Sequence, residues 1–405
     1  MRDMSDAMLT NTNDVSRGVK HKNKDAVNLL KVIVLGVAFF PFLGTSRIIG
    51  NENVFHVLQI LSSLIVTCFV IKDFKNVRLN LPTVFLLLFS LYELLVSLYN
   101  GVLSLGILFA IYFRFISVLY IIKSFSIKDY SFVRAVSIIL NLLVVINLPS
   151  VIGSISMSEY DKVFMLGGKN ALAAVALSAI FFNYLDYYLR ASKMTKLGYS
   201  MVALSLATTL LSGSSTGIVV GVVLTLFVIF GEKMNIKFRY YVLLYLAVLF
   251  LLFNTDMIKD ISFLYDFITG ALNKDLTFTG RTSIWNNAFK SISENFWGYG
   301  RGNEVIALFT GATNECHNSI LELMLASGIP GLMLFIGFLI SCVTGKCCNK
   351  NKKIMSVCYF AIFAFMILGL TESRINDVVF WWVMIVTYCE GRYDNDAIAV
   401  SEEKG

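Results

Sequence analysis

The sequence has few charged residues for its length, and this scarcity excludes most classes of protein. Of 405 residues, 57% are hydrophobic and 15% are charged, and the mean hydropathy is +0.71. A soluble domain could not hide that much apolar surface from water, so the lipid bilayer is the expected solvent. The basic residues lie in short segments between apolar runs, so the net charge of +7 reports membrane topology and not nucleic-acid binding.

The sequence also lacks the marks of a repeat protein, a disulfide-stabilised fold and a zinc protein. It contains no internal repeat of fixed period and no low-complexity tract. Of its seven cysteines, only Cys316 falls in a segment expected on the outer side of the membrane, so one chain cannot form an external disulfide. The adjacent Cys347 and Cys348 lack the partners and spacing of a zinc site. The cysteines are therefore interpreted as buried or interfacial packing residues.

The sequence is rich in long apolar stretches, and about twelve of them are candidates to span a membrane, which takes roughly 17 to 25 helical residues. They lie at 26–44, 53–71, 81–99, 102–122, 132–152, 169–189, 198–212, 216–231, 240–254, 318–343, 354–371 and 378–391. Several, such as 198–212 and 240–254, are short for a full crossing. The pattern predicts an all-α, polytopic membrane protein with about 12 transmembrane helices.

The segments between these stretches alternate in charge. Every second one is basic, beginning with the lysines before the first span and ending with those at 346–353. Under the positive-inside rule these segments are cytoplasmic. We predict a cytoplasmic tail at 1–25, one integral membrane domain at 26–391 and a second cytoplasmic tail at 392–405. The mostly polar segment 254–318, between the ninth and tenth spans, is then a large outer loop, and the first span is expected to be a retained helix and not a cleaved signal peptide.

Two charged residues fall inside neighbouring spans, where charges are costly and often functional. Glu93 and Arg114 flank the tight Asn100-Gly101 turn, with an axial offset of roughly 9 Å at 1.5 Å per residue. Long side chains could narrow that gap. An internal ion pair, an Arg114 side chain that extends to the inner membrane surface, and a role in substrate handling are all open at this point.

The outer loop holds the strongest candidates for chemistry. Ile284, Ala288 and Ile292, with Trp285 and Phe289, predict an amphipathic helix, for which Thr282 or Ser283 could be the N-cap. Arg281 would then stand at the helix start. A helix N-terminus and a guanidinium group together suit a phosphate group, although a solvated surface arginine is the alternative.

Two further elements follow in the loop. The glycines of Gly298-Tyr299-Gly300 precede Arg301 and are interpreted as a tight turn that lets Arg301 or the backbone approach a bulky ligand; no βαβ unit supports a dinucleotide site. His317 stands at the outer start of the tenth span, where an imidazole can act as a general base, although an interfacial histidine is the alternative. A break at 328–331 lies further into that span.

Taken in order, these motifs resemble those of the bacterial O-antigen ligase and polymerase superfamily. The resemblance comprises Gly280-Arg281 followed by Ile284-Trp285, then Gly298-Tyr299-Gly300, then His317-Asn318 with Gly328 and Gly331 at their present spacing, and Gly168-Lys169-Asn170 at an outer helix start. The layout is also similar, with about twelve spans, cytoplasmic termini and one large outer loop.

The resemblance implies glycosyl transfer at the outer face of the bacterial inner membrane from a polyprenyl-diphosphate-linked glycan. It implies that Arg281 holds the diphosphate leaving group and that His317 orients or deprotonates the attacking sugar hydroxyl. It offers Arg301, Lys169, Arg374 and Asn318 as substrate-binding residues. No cofactor and no metal are expected, since arginine takes the metal's place in this family. The expected partners are the lipid-linked oligosaccharide, membrane lipid, and a chain-length regulator and flippase of the same pathway, but no nucleic acid.

One element departs from the family pattern. The family carries a Ser-Arg-Gly element at the outer turn between the seventh and eighth spans, whereas this chain has Thr216 at the position of that arginine. The small polar turn can still offer hydroxyl and N–H groups to phosphate. Lys169 or Arg374 is expected to supply the missing charge.

The family covers two reactions, and the sequence favours one of them. A polymerase transfers the growing chain onto another lipid-linked repeat unit, whereas a ligase transfers the finished chain onto lipid A-core. We predict an O-antigen polymerase, because the ligase-type Ser-Arg is missing, with an O-antigen ligase as the alternative. A more distant alternative is a transporter or flippase for lipid-linked glycans, with Glu93 and Arg114 lining the path; the absence of an internal repeat argues against it.

Overall fold

The computed structural model describes residues 29–44, 46–72, 80–157, 162–191, 194–231, 236–266, 269–270, 281–302, 305, 307, 309, 316–344 and 352–393. The predicted tail 1–25, the Cys347-Cys348 pair and all but the first two residues of the predicted tail 392–405 lie outside the described residues.

The described chain is almost wholly helical. Its helices are α1 Leu29–Phe42, α2 Ser46–Ile49, α3 Glu52–Ile71, α4 Leu81–Tyr99, α5 Leu105–Ser126, α6 Ser131–Gly153, α7 Lys169–Ala191, α8 Lys196–Ser212, α9 Ser215–Phe230, α10 Phe238–Phe253, α11 Thr255–Asp260, α12 Ser262–Asp266, α13 Arg281–Glu294, α14 Ser319–Val343, α15 Lys352–Leu368 and α16 Val378–Tyr393. A two-residue antiparallel hairpin, β1 Val163–Phe164 with β2 Gly167–Gly168, precedes α7.

Each predicted span coincides with a helix, namely α1, α3 to α10 and α14 to α16. Within the described residues, six helices are long and apolar enough to cross a membrane, namely α3 to α7 and α14. The others are shorter. The prediction of an all-α, multi-pass membrane protein is confirmed.

The surface and the interior of the helix assembly are both apolar. Leu243, Leu244 and Phe250 on α10 are more than half exposed, as lipid-facing side chains are. The interior is filled by aromatic residues, and the indole of Trp382 on α16 lies against Phe39 and Phe132. Its Nε1 donates a hydrogen bond of 2.9 Å to Ser117 Oγ on α5, so α16 is a central element of the packing.

The predicted break in the tenth span is confirmed. Gly328 has φ 61° and ψ −166° inside α14, which interrupts the helical hydrogen bonds there. The segment 296–300 of the outer loop fills the interruption: Tyr299 N donates to Leu325 O (2.8 Å), Gly300 N donates to Ala326 O (2.9 Å), and Ile329 N donates to Phe296 O (3.0 Å). The glycines at 298 and 300 therefore let the backbone of the outer loop approach α14 closely. The sequence predicts that they approach a ligand instead.

In its described part, the outer loop contains three helices, α11, α12 and α13. In α13 the expected apolar stripe is buried, except for Phe289, which is 42% exposed and lies against the ring of Phe253. The expected N-cap is wrong, because both Thr282 and Ser283 lie inside α13. Arg281 is the first described residue of this helix.

Candidate active site

The polar centre of the outer side is the buried carboxylate of Glu372, in the segment between α15 and α16. Three basic side chains from three separate segments meet it. Arg281 Nη2 lies 2.6 Å from Oε1, His317 Nδ1 lies 3.4 Å from Oε2, and Arg374 Nη2 lies 4.0 Å from the same oxygen. We call these four residues the Glu372 cluster.

His317 is fixed by main-chain and capping contacts on both sides. Its φ of 52° places it in the left-handed region, which is uncommon for a residue with a side chain. Before it, Trp285 Nε1 of α13 donates a 3.1 Å hydrogen bond to Cys316 O. After it, the Asn318 side chain caps α14 by accepting from Ile320 N and Leu321 N at 3.0 and 3.1 Å. α13 and the start of α14 thus determine where the imidazole lies.

The Glu372 segment is tied to the same helix start through Ser319. Ser319 N donates to Gly369 O (2.7 Å), and Ser319 Oγ accepts a hydrogen bond from Arg374 N (2.7 Å). The side chain of Arg374 also pairs with Asp377, Nη1 to Oδ2 at 2.8 Å. The first residue of α14 therefore fixes both Glu372 and Arg374 relative to His317.

The turn between α8 and α9 reaches this site through hydroxyl and amide groups. Asn170 Nδ2 donates to Glu372 Oε1, and Asn170 Oδ1 accepts from Ser214 Oγ at 2.7 Å. Thr371 Oγ1 donates to Thr216 Oγ1 at 3.1 Å. Thr216 stands where the family has arginine. It thus contacts Thr371, the residue directly before Glu372.

The cluster carries more positive than negative charge. Burial by itself would raise the pKa of the Glu372 carboxyl, but the hydrogen bond from His317 and the positive charges of Arg281 and Arg374 outweigh it, so the pKa lies below its ordinary value. Arg281 and His317 keep 20% and 23% of their side chains exposed. An ionised Glu372 thus leaves surplus cationic character at the surface of the site, which suits an anionic ligand.

A second polar cluster lies deeper, around Glu93 of α4. Glu93 Oε2 is paired with Arg114 Nη2 of α5, and Oε1 lies 3.6 Å from Arg301 Nη1. The Arg114 guanidinium is also 4.8 Å and 4.6 Å from the ring centres of Phe89 and Trp381. Of the interpretations left open by the sequence, the internal ion pair is confirmed.

Arg301 and Glu93 line a cavity of about 450 Å³ between α4, α5 and α14. Glu322 of α14 and Asn376 also line it, and Asn376 Nδ2 donates a hydrogen bond to Glu322 Oε1. A neighbouring space of about 140 Å³ shares Arg301 and Asn376 with it. The segment 372–377 therefore borders both the Glu372 cluster and this cavity.

Comparison with known families gives one match. Residues 200–336 match the family model described as O-antigen ligase. Residues 200–336 thus carry a domain of the O-antigen ligase and polymerase superfamily. Members of this superfamily are membrane glycosyltransferase-like enzymes that work on lipid-linked glycans. The match and the membrane-spanning helices together support a role in lipopolysaccharide biosynthesis. No curated protein matches the chain.

The matched O-antigen ligase region runs from α8 into α14 and includes Arg281, Arg301 and His317. Glu372 and Arg374 lie after it and are brought to it by the fold. Among the sequence-predicted site residues, Arg281, His317 and Arg374 meet in the Glu372 cluster. Arg301 belongs to the Glu93 cluster, and Lys169 lies one residue before Asn170 at the start of α7.

Asn318 and Glu372 differ most from their sequence-based interpretation. Asn318 is fully buried as the cap of α14, so contact with substrate would break the cap, and its expected binding role stays a prediction.

Sequence reasoning does not identify Glu372. The one feature that could have pointed to it is its position, two residues before Arg374 in a short outer segment. Among the described residues, no group of three His, Cys, Asp or Glu side chains is placed to hold a metal ion.

Proposed function

We propose that this protein is an O-antigen polymerase. It transfers a glycan chain from polyprenyl diphosphate onto a sugar hydroxyl of another lipid-linked repeat unit, at the outer face of the bacterial inner membrane. The observation that supports this is the meeting of one histidine and two arginines at Glu372, at the predicted outer ends of α7, α14 and α15. A base and an anion site side by side are what this transfer requires.

In the proposed reaction, the acceptor hydroxyl oxygen bonds to the anomeric carbon of the donor, and the bond from that carbon to the diphosphate oxygen breaks. His317 takes the hydroxyl proton, and the bonding electrons leave with the diphosphate. The guanidinium groups of Arg281 and Arg374 stabilise the charge that develops on the leaving group. Arg374 thereby supplies the positive charge that Thr216 cannot, with Lys169 and Arg301 as further substrate-binding candidates.

Glu372 has a positioning role in this scheme. A carboxylate at His317 Nδ1 favours the tautomer with its proton on Nδ1, which leaves Nε2 as the basic nitrogen. The same carboxylate stabilises the imidazolium that forms after proton transfer. It also balances the arginines when no diphosphate is bound.

An O-antigen ligase is the second candidate, because the matching family model is described by that name. A ligase breaks the same bond to diphosphate and activates a hydroxyl in the same way, but its acceptor is lipid A-core. The Glu372 cluster serves either reaction, so the acceptor distinguishes them.

The test is to delete the gene in its host and compare surface polysaccharide on gels after complementation. We expect a single repeat unit on lipid A-core in the deletion strain, since ligation survives while polymerisation is lost. Polymer stranded on the polyprenyl carrier, with bare core at the surface, would identify a ligase instead. An unchanged polysaccharide would contradict both assignments.

Replacing Arg281 separates the charge of this side chain from its shape. We expect Arg281→Ala to abolish chain extension at normal protein level, and Arg281→Lys to restore it poorly, because a point charge cannot reproduce the guanidinium fork. The matched control is Arg392→Ala, at the predicted cytoplasmic end of α16, which should extend chains normally. Normal chain-length ladders from Arg281→Ala would contradict the leaving-group role.

Replacing His317 removes the proposed base. We expect His317→Ala to slow extension about 100- to 10,000-fold without a comparable loss of donor binding. Rates measured on purified protein with lipid-linked repeat units, beside donor binding in the same preparation, provide the check. A loss of binding equal to the loss of rate would make His317 a binding residue and not a base.

A further inference from the structure

We propose that the cavity of about 450 Å³ between α4, α5 and α14 binds the terminal sugar of the acceptor, and that this sugar is uncharged, such as a hexose or an N-acetylhexosamine. The inference rests on the proposed polymerase function and names the acceptor's place in it. Its basis is the position of the cavity relative to His317, the chemistry of its lining and the balance of its charges.

The cavity begins one helical turn from the proposed base. Glu322 N donates a 3.0 Å hydrogen bond to Asn318 O, so Glu322 lies about 6 Å along α14 from the residue that follows His317. On the other wall, Asn376 lies four residues after Glu372 and donates to Glu322. A sugar held against Glu322 and Asn376 therefore lies about one helical turn below the start of α14, where His317 stands.

The lining offers what sugar hydroxyls need. The carboxylates of Glu93 and Glu322 accept hydrogen bonds, while the amide of Asn376 both donates and accepts them. Arg301 Nη1 is buried, and among the described residues it has no hydrogen-bond partner, although it lies 3.6 Å from Glu93 Oε1. A ligand hydroxyl that accepts a hydrogen bond from this buried N–H group would remove the cost of leaving the group unsatisfied.

The remaining walls are apolar and suit the carbon-bound hydrogens of a sugar ring. Ile107 of α5 and Leu323 of α14 line the cavity beside the polar groups. A volume of about 450 Å³ lies within the roughly 300 to 1,000 Å³ of ordinary small-molecule sites. The cavity is thus a mixed polar and apolar site, as a saccharide requires.

The charges around the cavity select against a charged sugar. The two carboxylates of Glu93 and Glu322 are matched in number by the guanidinium groups of Arg114 and Arg301, so these four groups carry no net charge. The carboxylate of a uronic acid would add an unbalanced charge to a buried site, which costs free energy. A neutral sugar meets no such cost.

The donor is assigned to the other side of the 372–377 segment. Its diphosphate needs the cations of the Glu372 cluster, where Arg281 and Arg374 lie, whereas the cavity offers carboxylates that would repel phosphate. The acceptor then approaches His317 without displacing the leaving group.

Substrate protection tests this assignment without requiring turnover. A cysteine introduced as Ile107→Cys, in Arg281→Ala protein whose Cys68 is replaced by serine, is labelled with a polar maleimide in lipid nanodiscs. We expect the purified lipid-linked repeat unit to slow labelling at least about tenfold, and polyprenyl diphosphate without sugar to leave it unchanged. The control Asn254→Cys, at the exposed end of α10, should label at one rate throughout.

Each other outcome overturns the proposal. Equal protection by the sugar-free lipid would make the cavity part of the donor site, and no protection by either lipid would leave it without a substrate role. Failure of the polymerase assignment is separate, because it appears in the deletion strain, either as polymer stranded on the polyprenyl carrier or as unchanged surface polysaccharide.

A kinetic measurement provides a second test of the acceptor site. With polymer-loaded carrier as donor and single-repeat carrier as acceptor, we expect Glu322→Gln and Asn376→Ala to raise the half-saturating acceptor concentration about tenfold, as for the loss of one hydrogen bond to a charged or polar group. The half-saturating donor concentration should stay constant. Glu390→Gln, an equally buried glutamate in α16, is the control. An equal effect on donor and acceptor would contradict a site that distinguishes them.

Discussion

Glu372 links chemistry to stability at the scale of single residues. It is a buried carboxylate whose neighbours are two guanidinium groups and an imidazole. Ionisation of Glu372 holds these three groups together, so protonation would leave like charges facing each other in a partly buried site. The cluster should therefore weaken in acid.

The pH dependence of stability tests this coupling. Because the pKa of Glu372 is lowered in the folded protein, the stabilisation is present above the unfolded value, about 4, and is lost as the pH falls through the folded pKa. We expect the apparent unfolding temperature of wild-type protein to fall more between pH 5 and pH 3 than that of Glu372→Gln. Glu52→Gln, an exposed glutamate at the start of α3, should behave as wild type. Equal slopes for all three proteins would rule out the coupling.

The sequence identified the cations of this site but not their common partner. Arg281 and His317 are recognisable because each stands at or just before the predicted start of a helix and carries a distinctive chemistry. Glu372 is separated from Arg281 by 91 positions, and no local periodicity connects them. Its role depends on the packing of α15 against its neighbours, which a single sequence does not encode in any short pattern.

At the scale of elements, the contact between the outer loop and α14 depends on two glycines. Gly298 has φ 93° and Gly328 has φ 61°. A Cβ atom on Gly298 would lie 2.5 Å from Gly328 N, and one on Gly328 would lie 2.1 Å from Phe296 O. Both positions combine a left-handed backbone with backbone neighbours that cannot move aside.

Alanine at either position should therefore be poorly tolerated. We expect Gly298→Ala and Gly328→Ala each to cost about 2 to 4 kcal/mol, the sum of left-handed strain and overpacking. Gly101→Ala shares the positive φ but has open space around it, so it should cost only about 1 kcal/mol. Thermal unfolding of the purified variants provides the ranking. If alanine at position 101 lowered the unfolding temperature as much as alanine at position 298, backbone strain alone would explain the loss and overpacking would contribute nothing.

The sequence predicted the break in α14 but not what fills it. Glycine and proline at 328–331 are local signals of a helix interruption. The partner segment lies about thirty residues earlier in a polar loop, and its hydrogen bonds to α14 use main-chain atoms, which leave no side-chain signature. Because main-chain contacts leave no such signature, the sequence alone indicates a ligand contact at the glycines 298 and 300.

At the scale of the whole molecule, several helices are short for a bilayer. α10 has 16 residues and is therefore about 24 Å long, against a hydrocarbon thickness of about 30 Å. A short span can be accommodated by local thinning of the bilayer at modest cost. The alternation of basic segments requires that α10 cross.

Labelling at both ends of α10 tests the topology directly. We expect a membrane-impermeant maleimide to label Asn254→Cys in intact cells and to label Lys237→Cys only after the membrane is opened, because the basic segment before α10 is predicted to be cytoplasmic. Wild-type protein provides the background; the native Cys316 is fully buried. Labelling of both cysteines from outside would mean that α10 does not cross, and it would invalidate the predicted sides of every later segment.

The main-chain bonds between segment 296–300 and the break in α14 also have a consequence for evolution. Moving that segment would leave the carbonyls of Leu325 and Ala326 unsatisfied within the bilayer, at several kcal/mol each. The stretch that leads into Arg301 is therefore a fixed wall and not a flexible arm. A lineage that changes its surface sugars would have to change individual side chains along this wall, so related chains with different glycans should share its backbone and differ in the residues that face the sugar.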